Sequence, residues 1–359
     1  MKGLILSGGL GMRLRPLSYA MPKQLVPVAN RPVLDYVVEN VRRLGVSEIG
    51  VVAGDWGPQI AAAMGHERFG AKITYIPQDR PRGLAHCVQV ARDFLGQDDF
   101  AVWLGDSLLL DGVGEIAAEF TQARPAAQVV VSKVTDPRQF GVAELGPDGS
   151  VQRLTEKPGE PRSDLALTGV YFFTPAIHQA VGAIVPSARG ELELTDAVQW
   201  LLDHGHQVTA SRYEGFWQDA GRPADVLACN RRVLAGLAGA IGGQVDGGHI
   251  RGQVVVETGA TVRRSTLQGP VLIGAGSVVE DSHLGPNVSI GRCCRLAGAR
   301  LSDSIVLDEA VITAPHLLTG SLIGRGATVG RTSWDAGHRL LLSDHADVTL
   351  PTLQAGPRP

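Results

Sequence analysis

A glycine-rich segment comes directly after the first apolar run of the chain. Gly8-Gly9-Leu10-Gly11 is followed by Met12-Arg13-Leu14-Arg15. Glycines let a backbone approach phosphate groups and point several N–H groups at them, and Arg13 and Arg15 add charge for the outer phosphates. The spacing is neither the dinucleotide-binding GxGxxG nor a Walker motif. The segment predicts phosphate binding, with an ordinary turn after a strand as the alternative.

Lys23 favours the phosphate site over the ordinary turn. It lies in Pro22-Lys23-Gln24-Leu25, close enough along the chain to swing its ammonium group back onto the same phosphates. A lone lysine at such a position would more often be a solvated surface residue. The glycine loop and the lysine together predict a site for a polyphosphate.

Two isolated carboxylates follow strand-like segments that are far apart in the sequence. Asp106 comes after the apolar run Phe100–Leu104, and Asp219 lies in Trp217-Gln218-Asp219. Ligands of parallel sheets bind beyond the carboxyl ends of the strands, and two carboxylates converging on one Mg²⁺ suit phosphoryl chemistry. Each aspartate could also simply open a turn. The sequence predicts a Mg²⁺ site at Asp106 and Asp219.

The elements that must position these residues alternate between strands and helices over residues 1–238. Helical spacing is seen at residues 32–44, 59–64, 84–94 and 115–122. Strands alternating with helices predict an α/β fold with a mostly parallel, Rossmann-like sheet. The buried strands are predicted at Leu4-Ile5-Leu6, Ile49-Gly50-Val51-Val52, Ile73-Thr74-Tyr75-Ile76, Phe100–Leu104 and Val129-Val130-Val131.

A different pattern begins near residue 250, where helical spacing ends and aliphatic residues recur about every six positions in hexapeptide repeats. The repeats hold a 17-residue period over five turns, which predicts a parallel β-helix rather than an array of glycine-rich loops. The predicted inward residues are Ile250, Leu267, Leu284, Leu301 and Leu318; Val256, Ile273, Ile290, Leu307 and Ile323; and Val262, Val279, Leu296, Ile312 and Val329. The glycine-rich residues 239–249 are predicted to link residues 1–238 to a second domain at 250–359.

Composition limits the possible partners. The net charge of −3 comes without a basic block, which disfavours nucleic acid. No apolar run approaches the roughly 20 residues of a membrane helix, and the initial run is too short for a signal peptide. Cys87, Cys229 and the adjacent Cys293-Cys294 show no metal or disulfide spacing, which favours a reducing cytoplasm.

Nine segments, in this order, resemble the sugar-phosphate nucleotidylyltransferases over essentially the whole chain. The similarity is closest to the glucose-1-phosphate thymidylyltransferases that carry a C-terminal left-handed β-helix, and it implies a GT-A-like catalytic domain. The segments are GGLGMRLRPLS, PKQLVPVANRPVLDY, YIPQDRPRGLAH, WLGDS, DPRQFGV, EKP, LTGVYFF, PSARGELELTDA and GFWQDAG.

The resemblance implies roles for individual residues. Catalysis would involve Arg13, Lys23, Asp106 and Asp219, the two aspartates as Mg²⁺ ligands. The nucleotide would contact Leu6, Gly8, Gly9, Gly11, Arg13, Gln24, Gln78, Gly83, Leu84 and Asp106. The sugar phosphate would contact Gly141, Glu156, Lys157, Gly169, Arg189 and Trp217. Two departures are Met12, where the family usually has Thr or Ser, and Ser107, where it usually has Asn.

The implied reaction joins dTTP and glucose 1-phosphate to give dTDP-glucose and pyrophosphate. Two alternatives stay open: a UTP-preferring enzyme with the same chemistry, and a non-catalytic regulatory subunit on the same fold. Acyl transfer in the β-helix, at His249, His283 or His316, is a further and weaker possibility. The β-helix more readily predicts a homo-oligomer, because its open ends need covering, and the apolar residues 340–350 are predicted to fold back as strands.

Overall fold

The computed structural model describes residues 1–313 and 317–330. An α/β domain comes first. Its helices are α1 (Val33–Arg43), α2 (Gly57–Met64), α3 (Leu84–Val90), α4 (Arg92–Leu95), α5 (Gly114–Ala123), α6 (Ile177–Ala183), α7 (Leu194–Asp203) and α8 (Pro223–Ala235). Its strands are β1 (Lys2–Leu6), β2 (Pro27–Val28), β3 (Arg31–Pro32), β4 (Glu48–Ala53), β5 (Glu67–Arg68), β6 (Ala71–Pro77), β7 (Phe100–Leu104), β8 (Ser107–Leu109), β9 (Ala127–Lys133), β10 (Gly141–Leu145), β11 (Val151–Glu156), β12 (Leu165–Phe173), β13 (Val208–Arg212) and β14 (Trp217–Asp219).

The main sheet is mixed and runs in the order β11-β10-β12-β7-β1-β4-β6-β5, with β9 pairing β12 and β13. Strands β7, β1, β4 and β6 are parallel neighbours, whereas β12 runs antiparallel to β7, β9 and β10. The predicted strands and the Rossmann-like fold class are therefore confirmed. The parallel strands end at one edge, where the glycine-rich loop Gly8-Gly9-Leu10-Gly11 begins.

Alternation along the strands explains why both faces of the sheet are covered. In β1, Leu4 and Leu6 belong to the apolar core on one face, and Ile5 belongs to the core on the other. Helix α1 buries Val37 and Val41 against the second face, as its apolar spacing predicts. Helices on both faces are what buried parallel strands require.

The second part of the chain forms three parallel sheets of short strands that stack along one axis. The 17-residue register is seen directly, because Leu267 pairs with Leu284 and Leu284 with Leu301. This confirms a parallel β-helix, as expected of a left-handed β-helix of hexapeptide repeats. Its strands are β15 (Ala240–Ile241), β16 (Gln244–Asp246), β17 (His249–Arg251), β18 (Val254–Val256), β19 (Thr261–Arg263), β20 (Thr266–Gln268), β21 (Val271–Ile273), β22 (Val278–Glu280), β23 (His283–Leu284), β24 (Val288–Ile290), β25 (Arg295–Ala297), β26 (Arg300–Ser302), β27 (Ser304–Val306), β28 (Val311–Ile312), β29 (Leu317–Thr319), β30 (Leu322–Ile323) and β31 (Thr328–Val329).

The structure corrects two details of this prediction. Residues 239–249 are not a linker, because β15, β16 and β17 already pair with β18, β19 and β20 as a first coil. Leu307 does not continue the inward column, because Ile290 pairs with Val306. One coil is a residue shorter at this corner, so Val306 points inward and Leu307 packs against the α/β domain.

One sheet of the β-helix is apolar on its outer side as well. The outward column, which we call the docking column, pairs Val255 with Leu272, Leu272 with Ser289, Ser289 with Ile305 and Ile305 with Leu322. Its aliphatic members pack with α8 and with residues that follow Lys23. An ion pair between Arg231 and Asp303, at 2.7 Å, borders this contact. The β-helix is thereby fixed against the α/β domain.

Two sequence predictions fall on residues outside the described ranges, namely His316 and the strands at 340–350. His249 and His283 are exposed and lie two coils apart in one outward column. None of the helices within the described ranges combines the length and apolar content needed to cross a bilayer.

Candidate active site

The glycine-rich loop follows the end of β1 at Leu6. Backbone hydrogen bonds from Ser7 to Val52 and from Gly105 to Leu6 hold this end of the parallel sheet together. Gly11 adopts a left-handed conformation with φ of 65° and starts a 3₁₀ turn at Met12–Leu14. A residue with a β-carbon pays for that conformation, so glycine is favoured here. The buried Leu14 anchors the turn, whereas the Met12 side chain is exposed.

Lys23 lies beneath this loop. A β-carbon on Gly9 would lie 3.2 Å from Lys23 Cε, and one on Gly11 would lie 3.2 Å from Lys23 Cβ. The glycines therefore let the loop pass close over the lysine. Lys23 Nζ donates to Asp106 Oδ2. Burial alone would lower the pKa of Lys23, but the charges of Asp106 and Asp219 raise it, so the ammonium stays charged.

Asp219 reaches this cluster through a short antiparallel ribbon. Strand β14 pairs with β8 so that Asp219 lies opposite Ser107, the neighbour of Asp106. A backbone hydrogen bond from Ala220 to Asp106, at 2.9 Å, closes the ribbon. Arg13 Nη2 lies 3.4 Å from Asp219 Oδ2. The predicted catalytic residues Arg13, Lys23, Asp106 and Asp219 therefore lie together.

The two aspartates have opposite electrostatic environments. Burial opposes the ionisation of Asp106, but the adjacent Lys23 charge keeps the pKa of Asp106 below its ordinary value. Burial and the negative charge of Asp106 raise the pKa of Asp219 to about 7. Like charges held close in a poorly solvated site produce such a split. The pKa of Asp219 stays raised although the charges of Lys23 and Arg13 act in the opposite direction, so further positive charge beside Asp219 would favour its ionised form.

The two neighbouring carboxylates fit a divalent cation. Carboxylate oxygens from Asp106 and Asp219 are the hard ligands that Mg²⁺ prefers, and phosphate oxygens of a substrate commonly supply the rest. In residues 1–313 and 317–330, no group of three or more His, Cys, Asp or Glu side chains forms a protein-only metal site. The donor set therefore suits a metal that binds together with its phosphate substrate.

Among the predicted nucleotide contacts, Gln78 packs against the start of the loop at Gly8. Gln78 is buried, and its Nε2 lies 3.2 Å from His86 Nδ1. A β-carbon on Gly8 would collide with Gln78 Oε1, so the loop and the glutamine are in direct contact. Gly83, with φ of 108°, precedes α3, which begins at Leu84.

Gln24 lies beside the ends of β1 and β7 rather than with Gln78. A β-carbon on Gly105 would be 3.2 Å from Gln24 Cγ and would collide with Ser7 Oγ. Both amide atoms of Gln24, and Ser7 Oγ, are buried without a hydrogen-bond partner among the residues that the structure describes. Buried polar atoms without partners are costly, so these groups are available to a ligand. Ser7 was not predicted, since a single serine carries no sequence signal.

Glu156 is the centre of the predicted sugar-phosphate residues. It pairs with Gly141 across β10 and β11, and its carboxylate accepts a 2.7 Å hydrogen bond from Thr195. Arg189 lies 3.3 Å and Lys157 3.4 Å from the same carboxylate. The structure therefore brings Gly141, Glu156, Lys157 and Arg189 together.

Gly169 has a different kind of position. With φ of 82°, it lies where the pairing of β12 with β9 shifts register. A β-carbon there would lie 2.6 Å from Leu104 Cδ1. The glycine thus permits a bulge and a close approach to β7, the strand that ends just before Asp106.

Trp217 forms one wall of a cleft of about 690 Å³ that also includes Asp219. Its ring packs against Phe140 with centroids 5.2 Å apart, and its Nε1 donates to Ser107 Oγ at 2.9 Å. Ser107 Oγ in turn donates to the Thr168 carbonyl at 2.5 Å. The buried Ser107 hydroxyl therefore fixes the tryptophan. Sequence reasoning missed Phe140, although it lies inside the DPRQFGV segment.

Comparisons with known proteins agree with this geometry. Residues 2–236 match the nucleotidyl transferase family model, and residues 267–345 match the GMPPB C-terminal domain. The chain is 48% identical to a glucose-1-phosphate thymidylyltransferase of Streptomyces griseus over 96% of this chain and 98% of that protein. It is 47% identical to a protein of the same name from Streptomyces antibioticus, covering 98% of this chain and 99% of the relative.

A solved structure gives the same result for the first domain. A Bacillus anthracis protein described as a glucose-1-phosphate thymidylyltransferase, in complex with sucrose, superposes with a TM-score of 0.60 at 34% identity. The match covers 64% of this chain and 94% of that structure. The family model spans more than half of the chain and includes the loop, the lysine and both aspartates. The chain therefore belongs to the nucleotidyl transferase family.

Proposed function

We propose that this protein transfers a thymidylyl group from dTTP to glucose 1-phosphate, giving dTDP-glucose and pyrophosphate. The observation that carries the proposal is the cluster of Lys23, Arg13, Asp106 and Asp219 beneath a glycine loop. A cleft large enough for a sugar opens directly beside it. The thymidylyltransferase names of the Streptomyces relatives support the choice of nucleotide and sugar.

The reaction needs charge neutralisation and alignment rather than a general base. The sugar phosphate is already an anion near neutral pH, and its oxygen attacks the α-phosphorus in line while pyrophosphate leaves on the opposite side. Lys23 and Arg13 reduce the repulsion between the two anionic substrates. The glycine loop places backbone N–H groups around the triphosphate.

Asp106 and Asp219 are the residues that would hold Mg²⁺. The ion, when bound, would neutralise charge on the phosphates. The chain's own part is to keep the two carboxylates adjacent through the β8–β14 ribbon and to keep Lys23 charged beside Asp106.

The remaining site residues divide between the two substrates. We assign Leu6, Gly8, Gly9, Gly11, Gln24, Gln78, Gly83 and Leu84, with Arg13 and Asp106, to the nucleotide. We assign Gly141, Glu156, Lys157, Gly169, Arg189 and Trp217 to the sugar phosphate. The contact of Gln78 with Gly8 and that of Trp217 with Phe140 support this division.

A substrate panel tests the proposal. Pyrophosphate release is measured with glucose 1-phosphate and, in turn, dTTP, UTP, ATP, CTP and GTP, each with Mg²⁺ and with EDTA. We expect the highest kcat/KM with dTTP and loss of turnover in EDTA. A higher kcat/KM with UTP would identify a uridylyltransferase instead. No release with any nucleotide and any sugar phosphate would identify a non-catalytic subunit.

We further infer a cytoplasmic homo-oligomer that acts on small molecules and not on nucleic acid or a membrane. All four cysteines are unpaired thiols, which is typical of a reducing compartment. Ile241 and Ile250 on the first coil are 50% and 39% exposed, which favours a covering subunit. Light scattering of the full chain tests the assembly, and a monomer mass would contradict it.

A further inference from the structure

A short hairpin connects the lysine of the site to the β-helix. After Lys23 the chain makes one turn, with a hydrogen bond from Val26 to the Lys23 carbonyl. Strands β2 and β3 then pair, and Val33 returns a hydrogen bond to the Val26 carbonyl at 3.3 Å. Only Ala29 and Asn30 lie between the two strands. We call these two residues the hairpin tip.

The hairpin tip has a backbone that surrounding groups must hold in place. Ala29 has φ of 46° and Asn30 has φ of 60°, both in the left-handed region. Asparagine tolerates this conformation, but alanine does so at a cost in free energy. A left-handed alanine persists when contacts over-determine it.

Those contacts come from α8 and from the β-helix. The Ala29 N–H donates to Asn230 Oδ1 at 2.8 Å, and Ser289 Oγ donates to the same oxygen at 3.0 Å. Asn30 Nδ2 donates to the Ile290 carbonyl at 2.6 Å. Ser289 and Asn230 are both fully buried.

Ser289 is the polar member of the docking column, whose other members are aliphatic. A buried hydroxyl stabilises a contact only when it is hydrogen-bonded. In the docking column, Ser289 is therefore the residue that shares a hydrogen-bond acceptor, Asn230 Oδ1, with the hairpin tip. The aliphatic levels above and below, at Leu272 and Ile305, pack with Val26, Val28 and Val33 on the hairpin.

We propose that the β-helix positions Lys23 through this hairpin, with Asn30 and Asn230 as positioning residues. The hairpin holds the carbonyl of Lys23 from one side, while Gly9 and Gly11 confine its side chain from the other. A displacement of about 1 Å in a group that acts on the reacting phosphate can reduce turnover by about 10². The kinetic test of this proposal rests on the proposed function. Hydrogen exchange tests the proposal independently of that function.

The decisive comparison is Asn30→Gly against Ala29→Gly in the full-length chain. Both variants add a glycine to the hairpin tip and both allow a positive φ. Only Asn30→Gly removes the hydrogen bond to Ile290, while Ala29→Gly keeps every hydrogen bond of the tip. The pair therefore separates the contact with the β-helix from general loosening of the chain.

We expect Asn30→Gly to lower kcat about tenfold while KM for glucose 1-phosphate changes less than about twofold. Ala29→Gly should keep the wild-type kcat. Without substrates, the amides of Val26 and Val33 should exchange about tenfold faster in Asn30→Gly than in Ala29→Gly. Ser289→Ala leaves the hairpin sequence intact and should lower kcat and speed exchange in the same direction, but by a smaller factor. It replaces Asn30→Gly in the test if Asn30→Gly fails to fold.

The outcomes separate the two proposals. A wild-type protein that releases no pyrophosphate would overturn the proposed function, and the exchange measurement would still test the hairpin. Equal kcat and equal exchange in Asn30→Gly and Ala29→Gly would overturn the positioning role. A lower melting temperature with unchanged kcat would overturn it as well, because it would reveal a merely structural contact.

Discussion

Charged side chains are handled differently in the two domains. In the α/β domain, Lys23 and Asp106 pair below the surface, and Asp219 lies near them despite its like charge. In the β-helix, Arg263 pairs with Glu280, and Arg264 with Asp281, one coil apart on the exposed surface. Buried charges are costly to desolvate, whereas exposed pairs contribute little to stability.

This difference between buried and exposed charges distinguishes residues that serve the reaction from residues that stabilise the fold. Aliphatic columns such as Leu267, Leu284 and Leu301 fill the β-helix and need no charge. The α/β domain instead contains a buried charged cluster, which is costly to desolvate and which we propose as the binding site for the phosphates. Substitutions in the buried cluster should therefore affect turnover, whereas substitutions in the inward columns of the β-helix should affect stability alone.

The largest effect is expected at Lys23. Lys23→Met keeps most of the side-chain volume and removes the charge next to the reacting phosphate, so kcat should fall about 10²–10³-fold. The melting temperature should also fall, because Asp106 is left buried without its charged partner. Pyrophosphate release measures the rate, and Lys72→Met, on the exposed side of β6, is the matched control. Near-normal turnover in Lys23→Met would contradict the assignment of the site.

The next effect is on stability, in the β-helix. Leu284 is fully buried in the inward column, so Leu284→Ala should lower the free energy of unfolding by about 2–5 kcal/mol. Denaturant unfolding followed by circular dichroism measures this change. Leu317→Ala, on an exposed position of the same sheet, is the control. Equal effects of the two variants would show that the inward column does not carry the stability.

Asp219 should affect both properties in opposite directions. Its pKa is raised from 3.8 to about 7, so between those values the folded protein binds a proton that the unfolded chain does not. The free energy of unfolding of the wild type therefore rises as the pH falls through this window. In metal-free buffer at pH 8, Asp219→Asn should be more stable by about 1–2 kcal/mol, less than the full shift because the side chain is partly exposed.

That gain should shrink at pH 5, where the wild-type carboxyl is protonated. The variant should also lose most of its turnover. Thermal unfolding at the two pH values, with pyrophosphate release at pH 8, checks both effects. A destabilised variant at pH 8 would indicate that Asp219 is held by attraction to Lys23 and Arg13 rather than strained by Asp106.

The smallest effect is expected for the exposed pairs. Arg264 and Asp281 form a two-bond ion pair across one coil, yet both side chains are largely solvated. Arg264→Ala should leave the melting temperature and turnover unchanged within error, at low and at high salt. A clear loss of stability would contradict the division between the two domains.

The fold was predictable where apolar residues recur with a fixed period or where strands alternate with helices along the sequence. The column of Leu267, Leu284 and Leu301 is an example. The inward prediction for Leu307 is wrong because the corner at Ser302-Asp303 is one residue shorter than that at Gly285-Pro286-Asn287. A fixed 17-residue period does not reveal such a deletion. Residues 239–249 resemble a linker because their many glycines obscure the aliphatic period of the first coil. Val245 nevertheless packs against the β-helix core.

The site was predictable as a set of motifs but not as a geometry. Nothing local places Asp219 beside Asp106, because their proximity depends on the pairing of β8 with β14. The docking column can also be recognised in the sequence. Val254-Val255-Val256 and Val271-Leu272-Ile273 are apolar without alternation, which indicates burial on both sides of a strand.

The docking column also limits how this chain can change in length during evolution. Each coil adds about 4.8 Å along the axis of the β-helix, so an inserted coil would move every later level by that step. An insertion between Val255 and Ser289 would carry the serine away from Asn230 while leaving the inward columns intact. Homologues should therefore gain or lose whole coils outside residues 255–322.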